Sequence, residues 1–447
     1  MSRRTAFVPP SGSPSGPPSG PQHGAPSGPP SERPTDSTSA SLPAPKRLLW
    51  MLGPALVAGV AYLDPGNVAS NMTAGARFGY LLVWVVVVAN VMAWLIQYLS
   101  AKLGLVTGKS LPELLGERMG RKTGRRLYWL QAELVAMATD VAEVIGGAVA
   151  LWLLFDLPLL LGGVITGVIS MAVLALQGSG RHRTFEYVII SMMAIIAVGF
   201  TAGVVIAPPD AGALADGLIP RFEGSESVLL AASILGATVM PHAIYAHSAL
   251  TRDRFPDRSA ILTTPMLIRA TRWDVTIALA VAGTVNLAIL LLAASSLQGV
   301  EGTDTLEGAH AAIAASLGGV VATLFAVGLL ASGLASTSVG AYAGAEIMQG
   351  LLKVRIPMLL RRLITLIPAL LILAAGIDPT WALVLSQVIL SFGIPFALIP
   401  LVWLTSRPDL MGVHCNRWWT TALGVVVAVL LVGLNITLLV LTFSGAA

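Results

Sequence analysis

The chain has 447 residues, of which 55% are hydrophobic and only 11% are charged, with a formal charge of +4. Soluble domains carry about 25% charged residues, so this composition excludes an ordinary soluble protein and indicates a polytopic membrane protein. The single cysteine, Cys415, excludes an intramolecular disulfide and a Cys-rich metal site. Lys and Arg lie between the apolar runs rather than on one basic face, so we expect no nucleic-acid partner.

The first stretch, residues 1–45, is rich in Pro, Ser and Gly and poor in apolar residues. Such a segment cannot bury a core, and we expect a disordered tail without a cleaved leader. Residues 46–447 form the predicted transmembrane domain.

The rest of the chain contains about eleven apolar segments, judged against the roughly 20 residues that a helix needs to cross a bilayer. We therefore predict an all-α protein of about eleven transmembrane helices. The predicted segments are 48–76, 80–104, 127–154, 159–177, 184–206, 228–250, 273–298, 315–350, 358–376, 380–404 and 418–443.

The connections between these segments alternate in charge. Basic residues follow the even-numbered segments, for example Arg121 and Arg126 after the second and Arg252 after the sixth, whereas several acids lie in the other connections. The positive-inside rule places the basic connections in the cytoplasm. The N-terminal tail is then cytoplasmic and, with an odd number of crossings, the C-terminus lies outside.

This topology predicts an internal symmetry. The first and sixth segments cross in opposite directions, so 48–206 and 228–404 form two candidate inverted repeats of five helices, and 418–443 is an additional helix.

A helix-breaking motif, Asp64-Pro65-Gly66-Asn67, interrupts the first segment. Pro65 has no amide hydrogen, so the carbonyl of Ala61 loses its helical partner, and Gly66 allows the backbone to turn. A charged residue at membrane depth costs about 2.5–3.5 kcal/mol and indicates function. We predict two half-helices with an unwound middle.

A second interruption, Met240-Pro241-His242, lies in the sixth segment, where Pro241 frees the carbonyl of Ala237. Paired interrupted segments in corresponding halves of a chain indicate the substrate site of a secondary transporter. Asp64, Asn67, the two carbonyls and the Met240 thioether form a mixed oxygen and sulfur set that suits Mn²⁺ or Fe²⁺. Met240 could instead be packing, and Asn67 could instead form an interhelical hydrogen bond.

Several titratable residues in apolar segments are candidates for moving protons. His242 and His247 follow the second break and titrate near physiological pH, although either could be a hydrogen-bonded core residue. Glu133, Asp140 and Glu143 lie on one side of the third segment and resemble a proton relay, although Glu133 could be interfacial.

Three further polar residues lie in the last two segments of the second repeat. Arg361 and Arg362 begin the ninth segment, where they could anchor the helix at the interface or pair with the relay acids. Gln387, in the tenth segment, could be an additional oxygen ligand or a helix–helix hydrogen bond.

The two motifs together resemble the signature of the Nramp (natural resistance-associated macrophage protein) metal transporters, and the resemblance extends over about 48–443. It implies a LeuT-like fold and proton-coupled import of Mn²⁺, Fe²⁺ and related ions such as Cd²⁺, without a cofactor. It also implies metal ligation at Asp64, Asn67, Met240 and the Ala61 and Ala237 carbonyls, with Gln387 joining in the closed site. Asp64, His242, Asp140 and Glu143, with Arg361 and Arg362 nearby, match positions associated with proton transfer.

Two other classes of function are weaker. A sodium-coupled amine or amino-acid symporter of the same fold needs a site for an organic body, and Asp64 would repel a substrate carboxylate. A channel would show rings of pore residues, and a metal-sensing receptor would need a sizeable soluble domain. An enzyme would show a nucleophile–base pair or a nucleotide-binding loop. We therefore expect a symporter of the inner (plasma) membrane whose partners are divalent metal ions, protons and lipid, with no obligate protein partner.

Overall fold

The computed structural model describes residues 53–178, 182–254, 263–303, 305–354 and 356–444. The predicted disordered tail, residues 1–45, lies outside the described residues, as does the start of the first predicted segment. Within the described ranges the regular structure is entirely helical, as expected for an all-α membrane protein.

The helices follow one another in chain order as α1 (Pro54–Gly59), α2 (Pro65–Phe78), α3 (Val83–Thr107), α4 (Leu111–Arg118), α5 (Lys122–Phe155), α6 (Leu159–Gly178), α7 (His182–Ile206), α8 (Ala211–Asp216), α9 (Gly224–Thr238), α10 (Pro241–Arg254), α11 (Thr264–Ser296), α12 (Leu306–Leu317), α13 (Gly319–Leu352), α14 (Met358–Ala374), α15 (Pro379–Thr405), α16 (Pro408–Met411) and α17 (Trp418–Phe443). A 3₁₀ turn, Val60–Leu63, joins α1 to the first break.

Eight of these units are long and apolar enough to span a membrane: α3, α5, α7, the joined α9 and α10, α11, α13, α15 and α17. The remaining three predicted segments correspond to the broken α1–α2 pair, α6 and α14, which are shorter or interrupted. Every predicted apolar segment is therefore mainly helical where it is described, but the eighth, 315–350, includes the junction at Gly318 between α12 and α13. The number of eleven crossings stays a prediction.

Short helices in the connections and one early helix start were not predicted. Helix α4 begins with a capping box in which the Glu113 side chain accepts the Ser110 amide at 2.7 Å. Helix α11 begins at Thr264, nine residues before the predicted start at 273, because its charged first turns are helical too. Asp274, just after those turns, accepts the amides of Gly53 and Ala55 at 3.2 and 2.9 Å and thereby caps α1.

The two interrupted units pack against each other in the core and run antiparallel. Asn67 of α2 contacts Ala237 of α9, and Ser70, one turn later, contacts Ser233, one turn earlier, at 2.6 Å. Opposed directions of this kind are what inverted repeats require.

The longest helices, α5 and α13, form the packed centre beside the two breaks. Gly333 of α13 lies directly on the α5 backbone, since a Cβ there would come within 2.9 Å of the Glu143 carbonyl oxygen. Close backbone approach at small residues is typical of helices that associate within membranes.

Candidate functional site: two helix breaks and a buried ionic layer

The first break is centred on Asp64, whose backbone is extended (φ −70°, ψ 163°) between the 3₁₀ turn and α2. The carboxylate caps α2: its two oxygens accept the Asn67 amide at 2.9 Å and the Gly66 amide at 3.2 Å. In a continuous helix those amides would donate to Leu63 and Tyr62. The cap therefore releases two further carbonyls besides that of Ala61.

Side chains of Asn67 and of two other helices satisfy the carbonyls of Tyr62 and Leu63. The Tyr62 oxygen accepts from the Asn67 carboxamide at 3.0 Å and from Asn286 of α11 at 2.9 Å. The Leu63 oxygen accepts the Ser332 hydroxyl of α13. The missing N–H of Pro65 indicated only the release of the Ala61 carbonyl, which lies in the buried 3₁₀ turn. Nothing in the sequence indicated that the Asp64 side chain would also displace the Tyr62 and Leu63 carbonyls. The break is thus held open by dedicated partners on two neighbouring helices.

The second break lies between the end of α9 at Thr238 and the start of α10 at Pro241. Met240 lies in this gap and is fully buried. The Ala237 carbonyl, released by Pro241, accepts the Asn67 carboxamide nitrogen at 2.9 Å. The structure therefore joins the two breaks directly, through the side chain of Asn67.

Gln387 of α15 joins the same cluster. Its amide nitrogen donates to the second Asp64 oxygen at 3.1 Å, so the fully buried carboxylate accepts four N–H groups in all.

Gly66 was expected to allow the backbone to turn at the break, and this physical reason was wrong. Gly66 is helical, and its φ is negative, so it provides no left-handed turn. Glycine at this position instead leaves room for the Gln387 amide, which lies where a Cβ would be.

The acids of α5 and the arginines of α14 form a second group, the buried ionic layer of Glu133, Asp140, Arg361 and Arg362. Arg361 lies 2.6 Å from Glu133, and Arg362 lies 2.7 Å from Asp140. The Arg362 Nε also donates to Ser170 of α6 at 3.3 Å. Both arginines are buried, which favours the ion-pair interpretation over interfacial anchoring.

His242 connects the second break to this ionic layer. Its Nδ1 lies 3.3 Å from the hydroxyl of Thr139, the residue that precedes Asp140 on α5. Glu143, one turn further along α5, is fully buried, and neither of its carboxylate oxygens has a hydrogen-bond partner among the described residues.

His247 belongs to a different branch of polar contacts. Its Nδ1 lies 2.5 Å from the Gln97 side-chain oxygen of α3, and the Gln97 amide donates to the Tyr62 hydroxyl. The structure thus separates the two histidines that the sequence treated together: His242 faces α5, whereas His247 connects to the first break.

Sequence reasoning missed Gln97, Asn286, Thr139 and Ser332. Gln97 and Asn286 carried a usable signal, since each is a carboxamide within an otherwise apolar membrane segment. Thr139 and Ser332 carried little signal, because small hydroxyl residues are common in membrane helices, where they bond to backbone. In the described part of the chain, no three His, Cys, Asp or Glu side chains form a metal-binding group.

Comparison with known proteins places the chain among transporters. A family model described as natural resistance-associated macrophage protein-like (Nramp) matches residues 55–441. The chain is 60% identical over 396 residues to the divalent metal cation transporter MntH of Mycobacterium tuberculosis, covering 89% of this chain and 92% of that protein. It is 46% identical over 411 residues to the Bacillus subtilis protein of the same name, covering 91% and 96% of the two chains.

Solved structures agree with these sequence relatives. The fold matches a crystal structure of the Eremococcus coleocola manganese transporter with a TM-score of 0.79 and 31% identity, covering 89% of this chain and 87% of that one. The chain belongs to the Nramp family of membrane metal transporters.

Proposed function

We propose that this protein imports divalent transition-metal ions, Mn²⁺ and Fe²⁺ foremost, by proton-coupled symport. Family membership and the names of its relatives as divalent metal cation and manganese transporters support metal transport. The substrate site is the junction of the two breaks, and the cycle needs no resident cofactor. The protein acts in the inner (plasma) membrane, with its N-terminus in the cytoplasm and its C-terminus outside.

The observation that carries this function is the convergence of oxygen atoms at Asn67. Its carboxamide nitrogen lies 3.0 Å from the Tyr62 carbonyl, 3.0 Å from the Asp64 carboxylate and 2.9 Å from the Ala237 carbonyl. Acceptors that converge on one N–H₂ group will also attract a cation. A half-turn of the amide would present its oxygen to the same point, giving a set with one carboxylate and neutral oxygens.

Met240 gives this oxygen set its selectivity. Soft thioether sulfur favours transition ions over Ca²⁺ and Mg²⁺, which bind oxygen ligands. Because Met240 is fully buried in the gap of the second break, its sulfur can approach an ion there without competition from bulk water. A site with a single negative ligand also allows the ion to leave, as a transporter requires.

Proton movement uses the route that leads away from the metal site. His242 contacts Thr139, the residue that precedes Asp140 on α5, and the arginines of α14 hold the acids of α5. A metal ion adds positive charge beside Asp64, so a proton can leave along this polar path. His247 and Gln97 provide a separate polar contact to the first break.

The test is Mn²⁺ uptake into proteoliposomes with internal pH recorded at the same time. Wild-type protein should take up Mn²⁺ and acidify the lumen, and Asp64→Asn should lose nearly all uptake because the only anionic ligand becomes neutral. Asp409→Asn, an exposed acid far from the breaks, serves as the control. Normal uptake by Asp64→Asn at equal insertion would refute the site, and uptake without acidification would refute proton coupling.

A further inference from the structure

A groove between α15 and α17 faces outward from the transporter, away from both helix breaks. Its volume is about 570 Å³ and its walls are almost wholly apolar; they include Ile399, Trp403, Ala428, Val432 and Gly433. From Thr421 to Ile436 it extends for about 22 Å along α17, at a rise of 1.5 Å per residue. This length exceeds the thickness of one leaflet, which is half of the roughly 30 Å hydrocarbon core.

Polar contacts fasten the two helices at both ends of the groove. At one end Asn416 donates to the Thr405 hydroxyl at 2.8 Å. At the other end the Asn435 amide donates to the Ser391 carbonyl at 2.9 Å, and the Ser391 hydroxyl donates to Asn435 at 2.8 Å. These contacts fix the separation of the two helices on both sides of the groove.

The two helices bring cationic side chains to the same end of the groove. Arg407 follows the groove residue Ser406 directly, and its guanidinium lies 4.8 Å from the Trp403 ring centroid. Arg417 lies one turn before the groove residue Thr421. Neither arginine forms an ion pair among the described residues, and both are exposed.

Nearby charges do not cancel this cationic end. Arg118 of α4 also lies over Trp403, at 5.2 Å, but it is paired with Asp409 at 2.8 Å. That pair is neutral overall, so Arg407 and Arg417 remain as the net charge. Exposed Trp418 and Trp419 lie beside them, as expected for the level of lipid headgroups.

We propose that this groove binds one anionic phospholipid, with an acyl chain between α15 and α17 and the phosphate on Arg407 and Arg417. An apolar channel of this length requires an apolar chain, and an unpaired arginine pair at its mouth selects a negative headgroup over a zwitterionic one. Clusters of basic residues at the membrane surface attract anionic lipid in the same way. The proposed lipid therefore matches both the apolar walls of the groove and the positive charge at its end.

The experiment uses the full chain reconstituted in mixtures of phosphatidylglycerol and phosphatidylcholine, extracted and examined by native mass spectrometry. Wild type should retain one phosphatidylglycerol per chain in preference to phosphatidylcholine. Gly433→Phe should reduce this retention at least fivefold, because position 433 has open space for a side chain that fills the groove. Arg407→Gln with Arg417→Gln should abolish the preference for the anionic lipid.

Two control variants separate these effects from general changes. Val426→Phe adds the same ring to a lipid-facing position of α17 outside the groove, and Lys122→Gln removes an exposed cation elsewhere. Both should retain phosphatidylglycerol as wild type does. Equal retention of the two lipids by wild type, or unchanged retention in both Gly433→Phe and the double arginine variant, would overturn the lipid site. A dimer that Gly433→Phe dissociates without loss of lipid would identify a second copy as the occupant and would equally overturn it.

Discussion

The guanidinium of Arg362 lies 2.7 Å from the carboxylate of Asp140, and neither side chain is more than 2% exposed. The pair joins α14 to α5 at the level of the second break, on the side where Thr139 contacts His242. Charges buried so completely depend on each other, because neither can be hydrated when its partner is removed.

Removing Arg362 alone should therefore be costly. We expect Arg362→Met to lower the free energy of unfolding by about 3–5 kcal/mol, since it leaves the Asp140 carboxylate buried without a counter-charge. Arg362→Met combined with Asp140→Leu should regain most of that loss but not proton transport. Arg118→Met, which breaks the exposed pair with Asp409, should cost at most about 1 kcal/mol. Denaturation in detergent measures the free energy of unfolding of all three variants. Equal stability of Arg362→Met and of Arg362→Met with Asp140→Leu would contradict the mutual dependence of the two buried charges.

Glu143 and Asp140 should differ in what their neutral amides do. Glu143→Gln breaks no hydrogen bond among the described residues, whereas Asp140→Asn leaves Arg362 without its partner. We expect both variants to reduce acidification per metal ion more than metal affinity, but only Asp140→Asn to lower thermal stability. The measurements are Mn²⁺ affinity by calorimetry, acidification of vesicles and a melting curve for each variant. Collapsed affinity with normal proton flux would reverse the assigned roles.

Met240→Ala should change selectivity rather than abolish transport. Loss of the thioether should weaken Cd²⁺ most and Mn²⁺ less, and should make Ca²⁺ and Mg²⁺ relatively better competitors. A shift of about 1.4 kcal/mol between two ions appears as a tenfold change in their affinity ratio. Inhibition of Mn²⁺ uptake by excess Ca²⁺, wild type against variant, is the measurement. Unchanged sensitivity to Ca²⁺ together with unchanged Cd²⁺ affinity would identify Met240 as packing.

Glu113 of α4 should make stability depend on pH outside the membrane. Partial burial raises the pKa of its carboxyl, but the Ser110 amide and Arg252 outweigh this effect and hold the pKa below its usual value. A carboxyl with a lowered folded-state pKa stabilises the protein above its unfolded pKa, and that contribution disappears as the pH falls. The difference in melting temperature between wild type and Glu113→Gln should therefore shrink from about pH 6 to pH 3. A constant difference across that range would contradict the assignment.

The sequence predicted the helical segments well because each is a long apolar run, and both breaks because proline has a fixed effect on a helix. It could not predict the released carbonyls of Tyr62 and Leu63, since their release follows from the rotamer of Asp64 rather than from any missing N–H group. It could not show where the rings of His242 and His247 lie, because five residues on one helix give no indication of which neighbouring helix each ring will contact. The pairing of Arg361 and Arg362 with the α5 acids depended in the same way on how α14 packs.

The overlap between Gly66 and the Gln387 amide also constrains how this site can evolve. A single mutation that adds a side chain at position 66 meets an occupied space, whereas a first mutation that shortens Gln387 makes that space available. The easier mutational path therefore changes position 387 before position 66, because otherwise the Gln387 side chain must move away from Asp64. A lineage that follows it loses a donor to Asp64 before it gains a side chain at position 66.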